Sequence, residues 1–417
     1  MDYIKENLKI SSDYLKTLIK WLIVSLVVGV IGGVIGSLFH LSIDFVTEIR
    51  EHHSFIILFL PIGGIVIAAI YAIFKSKGRL DTNRVLEAVE AEEKVPLCLT
   101  PLIFISTCIT HLLGGSAGRE GAALQLGGSI GYNLGRVFKM NSEDLHIIVM
   151  SGMSAVFAAL FGTPITAAFF SLEVVRVGVM HYASLVPCVL SALCAYLIAG
   201  KFGISPVAFS IVPQQISVLL IVKIIILAVL CALVSILFCA AIKYTEHYSE
   251  KLIPNNYLRA FAGGLLIVIL SFCLRTTDYN GAGMHVITRA INGDADYFAF
   301  FIKIVFTAIT ISAGFKGGEI VPAFFIGSTF GCIAGSILGM DAGFGAAIGF
   351  VSVFCGVVNC PVASVMLAME VFGIDSVLMF ALVCSISYMM SGYSGLYKSQ
   401  KIEYSKLCMG KLEEKTK

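Results

Sequence analysis

The sequence predicts an all-α integral membrane protein made of two related halves. Only 13% of the 417 residues are charged and 58% are hydrophobic, whereas about 25% of the residues in soluble domains are charged. Apolar runs long enough to cross a bilayer as helices recur along the chain. Two groups of motifs also occur twice, in the same order and at nearly the same interval. These observations exclude a soluble fold and favour a transporter or a channel.

The clearest apolar runs are predicted to be membrane-spanning helices. They are Trp21–Ile43, Phe55–Phe74, Val95–Leu113, Leu145–Leu160, Ser184–Ala199, Ile216–Ile242, Ala260–Leu274, Phe298–Ala313, Phe324–Leu338, Ala342–Val358 and Ser376–Met390. Several other apolar runs are too short to cross a bilayer alone.

The two ends of the chain are polar and basic. Residues 1–20 contain four lysines and resemble an amphipathic helix leading into the membrane, and residues 398–417 form a short tail with six lysines. The positive-inside rule therefore predicts that both termini are cytoplasmic in a multi-pass protein of the cell membrane. We expect no appended soluble domain, no cleavable signal peptide and, at a net charge of +2, no nucleic-acid partner.

Matching motifs divide the chain into two membrane repeats, residues 21–200 and 214–397. GREGAALQLGGSIG precedes FGTPITAAFFSLEV in the first, and GGEIVPAFFIGSTFG precedes NCPVASVMLAMEVFG in the second. Three pairs of residues occupy matching places: Glu120 and Glu319 are 199 residues apart, and Pro164 and Pro361, like Glu173 and Glu370, are 197 apart. Interrupted hydrophobic segments at matching places in two halves indicate a transport site at the interface between repeats.

Residues 114–131, GGSAGREGAALQLGGSIG, are the most unusual stretch of the chain. Seven glycines surround Arg119 and Glu120 between apolar helices. The N-terminus of a helix that follows such a turn offers backbone N–H groups and partial positive charge to an anion. Acids inside a membrane are costly and mark ion paths, although glycine-rich packing between helices is the alternative interpretation.

Cysteines and histidines show no metal-binding spacing. Cysteines within apolar runs are expected to pack as small hydrophobic residues, and the same is expected of His40 and His111. We therefore expect no metal and no cofactor.

Taken together, the motifs GREGAALQ, GGEIVP, FGTPITAAFFSLE, NCPVASVMLAME and SGYSGLY resemble those of the CLC family of anion channels and proton-coupled anion exchangers. The resemblance extends from about residue 20 to residue 400. It implies a CLC-type inverted-repeat fold of about eighteen uneven, partly broken helices, in a homodimer with one pore per subunit. It also implies that helix N-termini bind the anion.

The resemblance assigns roles to individual residues. Glu120 matches the gating glutamate, and Tyr397 matches the tyrosine of the inner gate. The predicted anion-binding residues are Gly118, Arg119 and Gly121 around Glu120, and Gly318, Ile320 and Val321 in the segment from Gly317 to Pro322. The backbone N–H groups of Ile320 and Val321 are expected to face the anion.

Three departures from the family pattern bear on function. No GSGIP motif lies near residues 78–83, so Thr82 and Asn83 are the candidates to replace its serine; with Asp81 they can also cap a helix beginning near Arg84. Glu319 replaces an apolar residue. Val174 replaces the second of two acids that many exchangers carry. These features resemble the fluoride-exporting branch, although that branch has threonine where this chain has Val321.

The predicted function is transmembrane transport of halide anions, chloride or fluoride, by proton-coupled exchange gated by Glu120. Glu319 and Glu173 are accessory candidates. The expected partners are halides, protons, bilayer lipid and a second copy of the chain. The alternatives are a passive CLC-type chloride channel and a cation-coupled solute symporter with inverted repeats. No Ser/His/Asp pattern indicates an enzyme.

Overall fold

The computed structural model describes residues 2–74, 82–89, 94–407 and 410–415, with side chains described between residues 11 and 407 of these ranges. The α-helices of these ranges are α1 (Asp2–His52), α2 (Leu60–Ile73), α3 (Thr82–Val89), α4 (Leu99–Leu112), α5 (Glu120–Val137), α6 (Ser142–Phe161), α7 (Pro164–Glu173), α8 (Leu185–Lys201), α9 (Val218–Leu252), α10 (Asn256–Leu274), α11 (Met284–Ile291), α12 (Ala299–Ser312), α13 (Ile320–Ile337), α14 (Ala342–Val358), α15 (Pro361–Phe372) and α16 (Val377–Met390). The same ranges contain two 3-10 helices, Ser54–Phe59 and Tyr182–Ser184, which precede α2 and α8. The prediction of about eighteen helices of uneven length is confirmed.

Every predicted membrane-spanning segment coincides with helical structure. Among the described residues, seven helical stretches are long and apolar enough to cross a membrane, namely Ser11–His52, Ser54–Ile73, Ser142–Phe161, Tyr182–Lys201, Val218–Leu252, Asn256–Leu274 and Ile320–Ile337. Shorter apolar helices of 10–17 residues lie between them and after the last of them. The predicted bounds of α14 are those observed, whereas α1 is one continuous helix of 51 residues. The helix expected at residues 1–20 therefore continues into the first span without a break.

The two halves repeat the same helix sequence with matching ends. Helices α5 and α13 each have 18 residues and begin after Arg119 and Glu319, respectively. Asn141 and Asp341 cap the next helices, α6 and α14, by accepting a hydrogen bond from a backbone N–H of the first turn. Side-chain oxygens at this position stabilise helix starts because the first N–H groups have no partner within the helix.

This alignment corrects the predicted pairing of Glu120 with Glu319. Because the N-cap positions match, Arg119 is the structural counterpart of Glu319, and Glu120 is the counterpart of Ile320. The interval of 197 residues predicted for the two prolines is observed, since Pro164 and Pro361 are the first residues of α7 and α15. The interval between matching residues is 200 at the starts of α5 and α13 and 197 at these prolines, because α6 is three residues longer than α14.

Glycines allow the helices of each half to pack closely. A Cβ atom on Gly127 of α5 would lie 2.2 Å from the Gly152 carbonyl oxygen of α6, and one on Gly327 of α13 would lie 2.3 Å from the Gly349 carbonyl oxygen of α14. Backbones this close leave no space for a side chain. Small residues at such contacts are typical of membrane helix pairs.

The equivalent helices of the two repeats run in opposite directions. The carboxylate of Glu173, the last residue of α7, accepts hydrogen bonds from Val362 N (3.2 Å) and Ala363 N (2.9 Å) in the first turn of α15. Near the end of α15, Glu370 accepts from Ile165 N (2.9 Å) and Thr166 N (2.8 Å) in the first turn of α7. Each helix therefore begins where the other ends, as the inverted-repeat prediction requires.

A small sheet is the one departure from the all-α expectation within the described residues. Strand β2 (Lys401–Tyr404) pairs in parallel with β1 (Arg176–Val177) and antiparallel with β3 (Lys411–Lys415). Lys406, just after β2, donates to the Tyr388 carbonyl oxygen (2.9 Å), and burial lowers the pKa of its ammonium group to about 8. The predicted tail thus packs against the end of α7 and against α16.

Candidate functional site

Two glycine-rich turns, one from each repeat, meet at the centre of the fold. Gly118 N donates to the Gly318 carbonyl oxygen (2.6 Å), and Gly318 N donates to the Gly118 carbonyl oxygen (2.7 Å). A Cβ atom on Gly318 would lie 2.5 Å from Gly121 N and 2.8 Å from Glu120 N. Glycine is therefore required here, because backbone from the other repeat fills the space of a side chain. The N-termini of α5 and α13 start directly after this bridge.

Glu120 lies between these two helix starts. Its side chain is fully buried, and its Oε2 accepts a hydrogen bond from Val321 N (3.2 Å) in the first turn of α13. Its Oε1 is buried and has no hydrogen-bond partner among the described residues. The carboxylate thus occupies a helix N-terminus of the opposite repeat, where an anion is stabilised by backbone N–H groups and by the helix dipole.

A cavity of about 200 Å³ approaches this point from one side. We call it the Arg119 cavity; its lining includes Asp44, Arg50, His111, Arg119, His285 and Val321. The Arg119 guanidinium donates to Asp44 Oδ1 (2.8 Å), and Asp44 Oδ2 lies 2.9 Å from His40 Nε2. The side chain of Arg119 therefore pairs with α1 rather than with Glu120, so only its backbone position belongs to the predicted anion turn.

A second cavity of about 400 Å³ approaches from the side of the C-terminal tail. We call it the Tyr397 cavity; its lining includes Thr82, Asn83, Gln125, Gly317, Glu319 and Tyr397, and the lysines Lys243, Lys316 and Lys398. The turn from residue 317 to residue 321 contributes to both cavities, whereas Glu120 lines neither. The Glu120 carboxylate, which contacts that turn, lies in the protein between them.

The segment around Tyr397 is fixed by polar contacts on both sides. Ser399 N donates to Asn83 Oδ1 (3.0 Å), and Ser399 Oγ donates to Glu87 Oε1 (2.6 Å), both on α3. Gln400 Nε2 donates to the carbonyl oxygens of Val174 (3.0 Å) and Val358 (2.8 Å). The Tyr397 ring is 2% exposed. The predicted tyrosine therefore lies in the cavity wall, and Asn83 positions its segment.

The other residues predicted to belong to the site do not all lie together. Thr82 lies beside Gly121, with its hydroxyl 3.5 Å from the Gly121 carbonyl oxygen. Both Thr82 and Asn83 lie in the first turn of α3 rather than before it, because this helix begins two residues earlier than predicted, and Asp81 lies outside the described residues. Glu319 occupies the N-cap of α13 without a side-chain capping bond. Glu173 lies at the start of α15 and not at the Glu120 turn.

Three polar residues near the site were given no role in the site from the sequence, and His111 was expected only to pack. The carbonyl oxygen of Gly118 accepts a hydrogen bond from His111 Nε2 (3.2 Å), so this histidine supports the bridge. Lys303 is fully buried and donates to the carbonyl oxygens of Tyr279 (3.1 Å) and Gly281 (2.7 Å). Gln125 is buried on α5 and lines the Tyr397 cavity. Each is a strongly polar side chain within a membrane-embedded helix, which is the sequence signal that could have revealed it.

The loop that Lys303 holds braces the first-repeat turn. Gly281 N donates to the Gly115 carbonyl oxygen (3.2 Å), and Asn280 Nδ2 donates to the Gly114 carbonyl oxygen (2.9 Å). Lys303 thus connects α12 through this loop to residues 114–118. The ammonium also lies 5.0 Å from the centre of the Phe325 ring on α13.

Comparison with known proteins agrees with this architecture. A sequence model described as voltage gated chloride channel matches residues 63–392. The chain belongs to the voltage gated chloride channel, or CLC, family. A chloride/fluoride channel protein of Pseudomonas syringae pv. tomato is 35% identical to this CLC protein over 405 residues, which are 94% of this chain and 89% of the relative.

Solved structures show the same fold. A CLC-type fluoride/proton antiporter matches with a TM-score of 0.88 at 32% sequence identity, covering 92% of this chain and 98% of the other. A slow cyanobacterial Cl⁻/H⁺ antiporter matches with a TM-score of 0.75 at 19% identity, covering 89% and 94% of the two chains. This CLC protein is therefore an integral membrane protein with an inverted-repeat fold.

Proposed function

We propose that this CLC protein carries halide anions, chloride or fluoride, across the cell membrane in exchange for protons, with Glu120 as the gate. One observation carries the proposal: the buried Glu120 carboxylate accepts a hydrogen bond from the start of α13 at the partition between two cavities. Relatives described as a chloride/fluoride channel protein and a fluoride/proton antiporter support the choice of ion.

The gate works by competition between two anions for the same N–H groups. The ionised Glu120 carboxylate occupies the start of α13 and blocks the passage. A protonated carboxyl group is neutral, so it loses its attraction to the positive end of the helix. It then moves away, and a halide binds the vacated N–H groups of Ile320 and Val321. When the halide leaves, the carboxylate releases its proton and returns, so anion and proton movements are coupled.

The halide passes from one cavity to the other across this partition. The Tyr397 cavity opens to the cytoplasm in the proposed orientation, in which both termini are cytoplasmic. Tyr397 forms the inner gate, while Thr82, Asn83, Gly118, Gly121 and Gly318 complete the passage. Lysines in the wall of this cavity attract anions from the cytoplasm. Two copies of the chain form a homodimer, and each copy has its own pore.

A passive channel is the second candidate, and Val174 favours it. In this position many exchangers carry an acid that receives protons from the cytoplasm, whereas the Val174 carbonyl here accepts a hydrogen bond from Gln400. The proposed exchanger therefore moves protons by another route from Glu120 to the cytoplasmic side. Glu319, which lines the Tyr397 cavity, is an acid on that side of the partition.

Flux measurements on reconstituted protein test both proposals. Liposomes loaded with potassium chloride or potassium fluoride are diluted into halide-free buffer, and external halide and pH are recorded together, with and without a potassium ionophore. A halide leaving and a proton entering both move positive charge into the liposome, so exchanger and channel alike require the ionophore for sustained efflux. With the ionophore present, an exchanger raises external pH as halide leaves, whereas a channel releases halide without a change in pH. Absence of halide flux in both salts would overturn the proposed function.

The variant Glu120→Gln tests the gate. The amide cannot ionise, so we expect halide flux to persist and coupled proton flux to fall at least tenfold. Glu48→Gln, which changes an exposed glutamate on α1, is the matched control and should behave as the wild type does. Undiminished coupled proton flux in Glu120→Gln would remove Glu120 from this role.

A further inference from the structure

Gln125 places a buried amide in the wall of the Tyr397 cavity. It lies on α5, five residues after Glu120, and its side chain is 4% exposed. Its Nε2 donates to Thr82 Oγ1 (3.0 Å), but its Oε1 is buried without a hydrogen-bond partner among the described residues. Buried polar atoms are nearly always paired. An unpartnered amide beside a transport cavity therefore calls for a ligand.

The contacts of Thr82 show how that amide can receive an anion. In the observed orientation the Thr82 hydroxyl accepts a hydrogen bond from the Gln125 amide. The acceptor for its own proton is the Gly121 carbonyl oxygen, 3.5 Å away. This distance exceeds the usual O–H···O range of about 2.5–3.0 Å. A half-turn of the amide exchanges its oxygen and nitrogen, and this terminal torsion is broad and roughly two-fold. The hydroxyl then donates to the amide oxygen over the short contact.

The same half-turn places the NH₂ group where the unpartnered oxygen now lies. An amide nitrogen carries two N–H donors, so the rotated side chain of this cavity-lining residue offers unpartnered N–H groups at that position, which an anion needs. The observed orientation, with an oxygen in that place, repels an anion. The amide can therefore rotate when a halide enters or leaves the passage, with its NH₂ group towards a bound halide.

Helix packing does not explain an amide at this position. The counterpart of Gln125 in the second repeat is Phe325, at the same distance from the start of α13. Phe325 is fully buried and packs against Lys303 and Tyr279. The fold thus accepts an apolar residue at the equivalent place, and the amide in the first repeat serves another purpose.

We propose that the side-chain amide of Gln125 is a ligand of the transported halide on the Tyr397 side of Glu120, and that it strengthens fluoride binding more than chloride binding. This inference rests on the proposed function. Fluoride is small and strongly hydrated, so its dehydration requires dense hydrogen-bond donors in the passage. Loss of one N–H donor should therefore weaken fluoride binding more than chloride binding.

Equilibrium binding separates this inference from the transport proposal. Sodium fluoride and sodium chloride are titrated calorimetrically into the purified full-length protein, and into the variants Gln125→Met and Gln125→Glu. Methionine keeps the length of the side chain without donors, and glutamate keeps its shape with acceptors only. We expect fluoride affinity to fall about tenfold or more in both variants, as for loss of a hydrogen bond to a charged group, and chloride affinity to fall less.

A second amide on the same helix provides the matched control. Asn133 donates to the Ser129 carbonyl oxygen (2.8 Å) and does not line either cavity, so Asn133→Leu should leave both affinities unchanged. Unchanged affinities in Gln125→Met, or an equal loss in Asn133→Leu, would overturn the proposal. Wild-type halide flux, measured separately in liposomes, shows whether the transport proposal itself holds.

A double variant distinguishes a ligand from a positioning residue. If Gln125 acted only by orienting the Thr82 hydroxyl, Gln125→Met would have no further effect in a Thr82→Val background. A ligand should still lose affinity in that background, because its N–H groups contact the halide directly. The absence of any further loss would contradict direct contact.

Discussion

Gly118 and Gly318 exchange two backbone hydrogen bonds, of 2.6 and 2.7 Å, although they belong to different halves of the chain. This pair holds the starts of α5 and α13 against each other and so fixes the distance between Glu120 and Val321. The site is therefore a property of the interface between repeats. Neither repeat contains it alone.

The close approach at Gly318 yields the first prediction. In Gly318→Ala the added methyl group would lie 2.5 Å from Gly121 N, so the two turns must separate. We expect a loss of stability of about 1–3 kcal/mol, as for overpacking, and a loss of halide flux larger than that of any variant outside the site. Thermal unfolding in detergent and liposome flux measure the two effects.

The control for this variant is Gly200→Ala, because a Cβ atom on Gly200 near the end of α8 would contact no atom within 4 Å. It should retain wild-type flux and unfolding temperature. Wild-type flux in Gly318→Ala would show that the bridge does not determine the geometry of the passage.

The reciprocal capping of α7 and α15 yields a second prediction. Glu173→Gln and Glu370→Gln each replace a charged hydrogen-bond acceptor at a helix N-terminus by a neutral one, so each should destabilise the protein by about 1–2 kcal/mol. The loss should be larger for Glu173, which is more deeply buried. Halide and proton flux should persist in both variants. Proton flux lost from Glu173→Gln at normal stability would instead assign this residue to proton transfer.

Lys303 yields a third prediction. In Lys303→Met the carbonyl oxygens of Tyr279 and Gly281 lose their buried donor, so we expect a destabilisation of about 1–3 kcal/mol. Because the same loop contacts Gly114 and Gly115, halide affinity should fall as well. The control is Lys223→Met, since Lys223 donates to the Gly339 carbonyl oxygen at an exposed place. Equal unfolding temperatures for the two variants would refute the bracing role of Lys303.

The fourth prediction concerns the thiol of Cys239, which lines the Tyr397 cavity. A negatively charged methanethiosulfonate reagent added on the cytoplasmic side should modify Cys239 slowly, because this side chain is 6% exposed, and should inhibit flux by obstructing the cavity. High halide concentration should slow the reaction. Cys239→Ala should remove the sensitivity, whereas Cys273→Ala, at an exposed thiol on α10, should retain it. Inhibition that persists in Cys239→Ala would place this thiol outside the passage.

Hydropathy and motif spacing predicted most of the fold, because apolar length and helix-capping residues act locally. The predicted bounds of α14 agree with the structure, since Asp341 caps its start and Asn359 ends it in a left-handed conformation. The start of α13 was predicted late, because the motif GGEIVP lowers the local hydropathy although Ile320 is already helical. The sheet was not predicted, because β1 has only two residues and forms through pairing with the distant tail.

The site was harder to predict than the fold. The motif match located Glu120, but matching acid to acid displaced the two repeats by one residue, and the helix starts pair Arg119 with Glu319 instead. Lys303 and Gln125 carry no motif of their own. The roles of these two residues depend on the carbonyl oxygens, hydroxyl group and cavity that they contact. Long-range packing, which the sequence pattern does not reveal, determines those contacts.

The Gly118–Gly318 pair also has a consequence for biosynthesis. While the second half is still being synthesised, the backbone N–H and carbonyl groups of Gly118 lack the Gly318 groups with which they pair in the complete protein. Unpaired backbone is costly in hydrocarbon, so before residue 318 is in place the Gly118 backbone groups need water or another hydrogen-bond partner. Because residue 318 lies in the last quarter of the 417-residue sequence, these hydrogen bonds can form only late in synthesis, and a chain truncated before residue 318 lacks the partner of Gly118.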